Sequence, residues 1–174
     1  MRKRMLLIVL GIIMAIAGYW YTYLDADTNK PSQPKAKSGI RVGQMLAPFV
    51  LDRLDGSQVT VGQSGKITVL NFWATWCPPC QEEMPELEKF FNNNQQKVDF
   101  YAINLKEPTV KISDFMNKNN YTMPVLLDAD GAVGKKFQVT AIPTTIVINK
   151  HGMIKYRKSG TMTMNELEGI INSL

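Results

Sequence analysis

Residues 69–85 read VLNFWATWCPPCQEEMP and contain both cysteines of the chain, Cys77 and Cys80, separated by two prolines. The run at 67–73 is nearly all apolar and of strand length, which is typical of a strand buried on both faces. Residues 78–93 predict a helix, because apolar residues recur there at spacings of three and four. The cysteine pair is therefore predicted to lie where a buried strand passes into a helix.

This position favours a reactive pair over a structural one. A bridge that encloses only two residues restrains the unfolded chain far less than one that closes a long loop. At the start of a helix, unpaired backbone N–H groups and the positive end of the helix dipole favour a thiolate over a thiol. We therefore predict that Cys77 is the nucleophile and that Cys80, one turn further in, is the less accessible resolving thiol.

The chemistry follows from this asymmetry. The Cys77 thiolate attacks a substrate disulfide to give a mixed disulfide, and Cys80 then attacks Cys77 and frees the reduced substrate. The reverse sequence would oxidise a substrate instead.

The chain lacks the residues that two other functions of a Cys-x-x-Cys pair, zinc binding and haem attachment, require. A structural zinc site normally has four ligands, and the single histidine, His151, falls in a predicted hairpin turn. Haem attachment requires histidine directly after the second cysteine, where this chain has Gln81. We therefore expect no metal and no cofactor.

Strand-like and helix-like segments alternate through the rest of the domain. Asp55-Gly56, between two short alternating runs, predicts a hairpin that opens it. Further predicted elements are strands at 98–104 and 123–130, short helical segments around Ile112 and Val133, a hairpin from TTIVIN (144–149) and MIKYRK (153–158), and a closing amphipathic helix that begins near Thr163. This alternation predicts an α/β domain with a central mixed sheet covered by helices on both faces.

The amino-terminal part predicts export. Residues 1–4 form a basic stub, and the uncharged run at 5–24 is long enough to span about 30 Å of hydrocarbon. The basic stub favours a cytoplasmic amino terminus, and the aromatic residues at the far end of the run are typical of a membrane interface. We prefer a retained transmembrane anchor; a signal peptide cleaved near the small-x-small residues 15–17 is the alternative. A polar, proline-containing linker at 25–40 then leads to the domain at 41–174.

Charge does not indicate a nucleic-acid partner. The formal net charge is +5, and without the three basic residues of the stub it falls to about +2.

The motifs resemble those of the thioredoxin superfamily. FWATWCPPC is followed by Pro85 and later by AIPTT at 141–145. The branch of ResA, StoA and TlpA, which are membrane-tethered extracytoplasmic proteins, is the most similar. The leading hairpin, a helix-plus-strand insertion around 109–128 and the closing GTMT at 160–163 all fit it, so that the resemblance covers residues 41–174.

The resemblance implies a thioredoxin-like fold and a substrate-contact surface beside the cysteines. It implies that Pro143 follows a cis peptide bond, and that the backbone of Ile142 pairs with an extended substrate segment. Trp76, Pro78 and Pro79 are expected to border the same surface.

One departure from thioredoxin concerns the proton acceptor. Asn71 replaces the buried aspartate that thioredoxin carries six residues before its first cysteine, and an amide cannot accept a proton. ResA-like proteins carry an acidic group near the position of Glu83, which lies on nearly the same helix face as Cys80. We predict that Glu83 accepts the proton of Cys80, with a pKa raised by partial burial. A solvent-facing helical glutamate is the alternative.

The predicted function is that of a membrane-anchored, single-pass reductant whose catalytic domain lies outside the cytoplasm. Its substrates would be exported proteins with disulfides, such as apocytochrome c, a copper-assembly protein or a spore-envelope protein. Its electrons would come from a membrane partner of the CcdA or DsbD type, and we expect a monomer. Two alternatives stay open: a net oxidant that forms disulfides, and a copper-binding assembly module, although the latter typically needs a longer cysteine spacing and a ligand histidine.

Overall fold

The computed structural model describes three stretches of the chain, residues 11–21, 39–62 and 64–174. The chain divides into two compact units, residues 1–35 and 36–174.

In the first unit, residues 11–21 form a helix, α1. Within the three described stretches, no helix combines the length and the apolar character needed to cross a membrane. The basic stub at 1–4, both ends of the predicted anchor at 5–24 and nearly all of the predicted linker at 25–40 lie outside the described residues.

The second unit alternates strands and helices in the predicted order. Its strands are β1 (Phe49–Arg53), β2 (Gln58–Val61), β3 (Ile67–Trp73), β4 (Val98–Leu105), β5 (Val125–Asp128), β6 (Thr144–Ile148) and β7 (Ile154–Ser159). Its helices are α2 (Pro78–Asn94), α3 (Thr109–Lys118), α4 (Ala132–Lys136) and α5 (Met164–Asn172). The helix-plus-strand insertion predicted around 109–128 is therefore α3 and β5.

The strands form one mixed sheet in the order β2-β1-β5-β4-β3-β6-β7. β3, β4 and β5 run parallel to one another, whereas the neighbouring pairs at both ends of the sheet are antiparallel. The predicted opening hairpin, β1–β2, extends the sheet by pairing with β5. The prediction of a mixed central sheet is confirmed.

A buried apolar cluster lies on each face of the sheet. Side chains of β3 alternate between the two clusters, so that Val69 and Trp73 pack on one face and Leu70 and Phe72 on the other. Helices α2, α3 and α5 cover the first face, and the short α4 contributes Val133 to the second. β3 is buried on both faces, as its continuous apolar run predicts.

Three loops meet at one edge of the sheet. β3 and β4 are parallel, with Trp73 opposite Asn104, so their carboxyl ends lie side by side. β6 is antiparallel to β3 and pairs Thr144 with Phe72, so the loop that precedes β6 reaches the same edge. The β3–α2 loop with the cysteines, the β4–α3 loop and the loop before β6 therefore converge.

Candidate active site

Cys77 and Cys80 form a disulfide at the amino terminus of α2, with their Cα atoms 5.2 Å apart. Cys77 is the N-cap residue: its backbone is extended, and its Sγ accepts a hydrogen bond from the backbone N–H of Cys80 at 3.3 Å. Pro78 and Pro79 occupy the first two helical positions, where a helix makes no use of the N–H groups that proline lacks. The Cys77 sulfur thus lies where an N–H donor and the helix dipole stabilise negative charge.

The two cysteines differ slightly in exposure. Cys77 is 3% exposed and Cys80 is fully buried, which agrees in direction with the predicted order of reactivity. The neighbouring Trp76 is 62% exposed, and Pro78 and Pro79 are exposed as well. These exposed residues flank Cys77 in the sequence, the slightly more exposed cysteine of the pair.

The loop before β6 lies against Cys77. The Ile142–Pro143 peptide bond is cis, as the family resemblance implies. The Sγ atom of Cys77 lies 3.7 Å from the carbonyl oxygen of Ile142, and Pro143 is buried beside it. The structure therefore brings the predicted substrate-contact residues together, while their binding role remains a prediction.

A cavity of about 830 Å³ opens beside Trp76, in the loop that carries the disulfide, and α4 with the segments on either side of it forms much of its wall. Its lining includes Trp76, Leu105, Lys106, Ala132, Val139 and Ile142. Charged side chains, Lys106, Asp130 and Lys135, also border it, and it is large enough for a peptide side chain.

Glu83 is buried on α2, one helical turn after Cys80. It is 3% exposed, and it accepts hydrogen bonds from Asn71 Nδ2 at 2.8 Å and from the backbone N–H of Met162 at 2.7 Å. Burial raises the pKa of Glu83 to about 7, although the bonds from Asn71 and Met162 and the charge of Lys158 partly oppose this rise. Glu83 is therefore not the solvent-facing glutamate of the alternative interpretation, and its carboxyl group can exchange a proton near neutral pH.

Two of the groups at this edge were not predicted from the sequence. The first is the N–H of Met162, in the GTMT segment, which binds Glu83. The second is Glu107, which follows β4 and hydrogen-bonds to Thr75 in the cysteine loop. The position of Glu107, two residues after a strand that is parallel to β3, could have indicated that it lies near the cysteine loop. Parallel neighbouring strands end at the same edge of the sheet.

The described part of the chain contains no candidate metal site. No group of three or more histidine, cysteine, aspartate or glutamate side chains there could hold a metal ion.

Comparison with known families identifies the fold and its chemistry. The Redoxin family pattern matches residues 41–171, which is most of the chain. The chain belongs to the Redoxin family. This redoxin is 34% identical to the thiol-disulfide oxidoreductase ResA of Halalkalibacterium halodurans, over 96% of the chain and 93% of that protein. It is 28% identical to the sporulation thiol-disulfide oxidoreductase A of Bacillus subtilis, over 95% of each chain.

Solved structures agree with this assignment. The crystal structure of StoA from Bacillus subtilis matches this redoxin with a TM-score of 0.65 and 31% identity, and covers 71% of this chain and 95% of that one. The relatives and the Cys77–Cys80 pair together establish a thiol-disulfide oxidoreductase with a thioredoxin-like fold.

Proposed function

We propose that this oxidoreductase reduces disulfides in exported client proteins, with Cys77 as the attacking thiol and Cys80 as the resolving thiol. The observation that carries the proposal is the asymmetry of the pair. Cys77 is the N-cap of α2, follows the exposed Trp76 and is 3% exposed, whereas Cys80 is fully buried. We therefore expect a client sulfur to approach Cys77 rather than Cys80.

The reaction proceeds in two exchanges. In the first, the Cys77 thiolate attacks one client sulfur, the client S–S bond breaks, and the other client sulfur leaves as a thiolate that takes up a proton. In the second, Cys80 loses its proton and attacks the Sγ of Cys77, which releases the second client sulfur. The client gains two electrons and two protons, and the enzyme is left with the Cys77–Cys80 disulfide.

Glu83 supports the second exchange. Cys80 has to become a thiolate inside an apolar site, where burial disfavours charge. The carboxylate of Glu83 lies one turn further along α2, and a pKa near 7 lets it accept a proton and later release it at neutral pH. The oxidised enzyme must then be reduced again, and we propose a membrane electron donor of the CcdA or DsbD type.

The client binds as an extended segment beside the loop that precedes β6. The backbone of Ile142 offers hydrogen-bonding groups next to Cys77, and the exposed Trp76, Pro78 and Pro79 border the same surface with the buried Pro143. Backbone pairing recognises an extended strand with little regard to sequence, which suits substrates such as apocytochrome c, a copper-assembly protein or a spore-envelope protein.

We further propose that the chain is anchored in the membrane through residues 5–24, with the catalytic domain on the extracytoplasmic side. The basic stub at 1–4 favours a cytoplasmic amino terminus. In the described helix α1, large apolar side chains such as Ile12 and Met14 are more than half exposed, an arrangement that suits lipid better than water.

Mixed-disulfide trapping tests the order of attack. In a Cys80→Ser chain, Cys77 can attack a client but nothing resolves the intermediate, so exported clients should accumulate as adducts on non-reducing gels. The matched Cys77→Ser chain should trap none. Capture by Cys77→Ser alone would reverse the assignment of the two thiols.

The direction of electron flow is tested by the reduction potential of the full chain. Equilibration against defined glutathione buffers, followed by tryptophan fluorescence, should give a midpoint near or below about −250 mV, in the thioredoxin range of a reductant. A midpoint near about −120 mV would instead identify a net oxidant.

A further inference from the structure

A buried carboxylate from the β4–α3 loop holds the loop that carries the cysteines. Glu107 Oε2 accepts hydrogen bonds from the Thr75 N–H at 2.6 Å and from Asn104 Nδ2 at 2.9 Å. Its Oε1 accepts from Thr75 Oγ1 at 2.6 Å and from Lys111 Nζ at 2.8 Å. The Glu107 side chain is only 4% exposed. One carboxylate therefore satisfies both donors of Thr75 at once.

Thr75 lies directly before Trp76 and two residues before Cys77. Its carbonyl oxygen accepts a hydrogen bond from Gln81 Nε2 at 2.5 Å, so all three of its polar groups have partners. Glu107 holds this residue from the β4 side and Gln81 holds it from α2. The backbone that presents Trp76 and Cys77 is thus fixed from two directions.

Both elements joined by this carboxylate line the cavity beside the disulfide. Trp76 follows Thr75 and forms one part of the lining, while Leu105 and Lys106 precede Glu107 and form another. A shift of Thr75 relative to Glu107 would change the distance between these parts. It would also move the Cys77 sulfur with respect to Ile142, where the client segment is expected to bind.

The contacts of Glu107 favour its ionised form. Burial by itself would raise its pKa, but the hydrogen bonds from Lys111, Thr75 and Asn104 lower it overall. All four contacts are donated to the carboxylate, so a carboxamide cannot replace it without placing an N–H₂ group against another donor.

We propose that Glu107 is a positioning residue of the disulfide-exchange reaction, whose carboxylate fixes Thr75 and thereby sets Trp76 and Cys77 against the bound client. Glu107 touches neither sulfur and acts through Thr75. The proposal rests on thiol-disulfide exchange activity and is independent of the direction of electron flow and of the client's identity.

The test compares Glu107→Gln with the unaltered full-length chain in the reduction of a synthetic peptide disulfide, with dithiothreitol as recycling reductant. We expect kcat/KM to fall about tenfold, mainly through a higher KM, because small displacements of a binding surface weaken client positioning more than they alter thiol chemistry. The split between kcat and KM is the decisive readout, since a general loss of stability does not change KM at temperatures well below unfolding.

Glu88→Gln is the matched control. Glu88 also binds both donors of a threonine, the N–H of Thr122 at 2.9 Å and its Oγ1 at 2.6 Å, and it also accepts from the N–H of Met123. It joins α2 to the segment before β5 and lines no part of the cavity beside the disulfide. The kcat and KM of the Glu88→Gln variant should stay within about twofold of those of the unaltered chain, even if the melting temperature of the variant is lower. Equal kinetic behaviour of the Glu107 and Glu88 variants would overturn the proposal.

A second pair of variants covers the case in which Glu107→Gln does not fold. Thr75→Ser keeps both donors to Glu107, whereas Thr75→Val loses the hydroxyl and keeps the N–H. We expect KM to rise about threefold in the valine variant and to remain near the original value in the serine variant. The same KM in both variants would contradict the proposal.

Discussion

At the scale of single residues, the buried Glu83 couples folding to pH. Its pKa is raised from 4.5 to about 7 in the folded chain, chiefly by burial. Below about pH 4.5 the group is protonated in both the folded and the unfolded states, and its contribution to stability is fully present. As pH rises, the unfolded chain releases this proton first, so that stability is lost progressively until the pH passes about 7.

We therefore expect Glu83→Gln to remove this loss. Relative to the variant, the unaltered oxidised chain should lose on the order of 2–3 kcal/mol of unfolding free energy between about pH 4.5 and pH 8. The oxidised form is suitable because its disulfide-bonded cysteines do not titrate. Urea denaturation of both chains across this range measures the difference, and a difference that does not vary with pH would show that Glu83 is ionised normally.

Only some of the residue-level features of the site could be predicted from the sequence. The spacing Cys80-x-x-Glu83 places both residues on one helix face, and the strand-to-helix position of Cys77 predicts its N-cap environment. The partners of Glu83 and the contact of Glu107 with Thr75 depend on which loops meet in space. Contacts over 79 residues, as between Glu83 and Met162, leave no local pattern in the sequence.

At the scale of elements, the start of α2 depends on the side chain at position 77. Cys77 is the N-cap, and its sulfur accepts the N–H of Cys80. Serine can make the same bond with a better acceptor, whereas alanine leaves that N–H without a side-chain partner. In a Cys80→Ser background, which has no disulfide, we expect Cys77→Ser to be more stable than Cys77→Ala by about 0.5–2 kcal/mol.

Urea unfolding of the two double variants measures this difference. Thr163→Ala serves as a positive control, because Thr163 Oγ1 caps α5 by accepting the N–H of Glu166 at 3.2 Å. Glu82→Ala, on the exposed face of α2, should change stability little. Equal stabilities of the two double variants would mean that the side chain at position 77 does not support the helix terminus.

Local sequence patterns predicted most of the helices and strands. They did not predict which distant strands pair with one another. The continuous apolar run of β3 and the Thr163-x-x-Glu166 capping box of α5 each identify their element without tertiary information. By contrast, β1 could add to either edge of the sheet on its local sequence, and its pairing with β5 is set by the packing of the whole domain. The isolated bridge between Met45 and Met153 likewise depends on the packing of the whole domain and not on the local sequence.

At the scale of the whole molecule, the fold concentrates reactive groups at one edge of the sheet. Parallel pairing of β3 and β4 brings Thr75, in the loop that carries Cys77, against Glu107, and the antiparallel β6 brings the loop with Pro143 to the same edge. On the face covered by α2 and α5, Glu83 lies beneath the disulfide-bearing helix terminus and contacts the segment before α5. The N-cap sulfur of Cys77 and the buried carboxyl group of Glu83 are thereby carried by the first two turns of one helix.

The proposed membrane anchor would hold the catalytic domain at the membrane, on its extracytoplasmic side. With a basic stub at 1–4 and an uncharged run at 5–24, the chain should remain in the membrane fraction after alkaline carbonate washing. Protease added outside spheroplasts should remove the catalytic domain, because the stub keeps the amino terminus on the cytoplasmic side. Replacing Arg2, Lys3 and Arg4 by glutamine should reduce the fraction that is accessible to protease, as the positive-inside rule requires. A soluble exported chain whose mass corresponds to cleavage after Ala17 would instead establish a signal peptide and exclude the retained anchor.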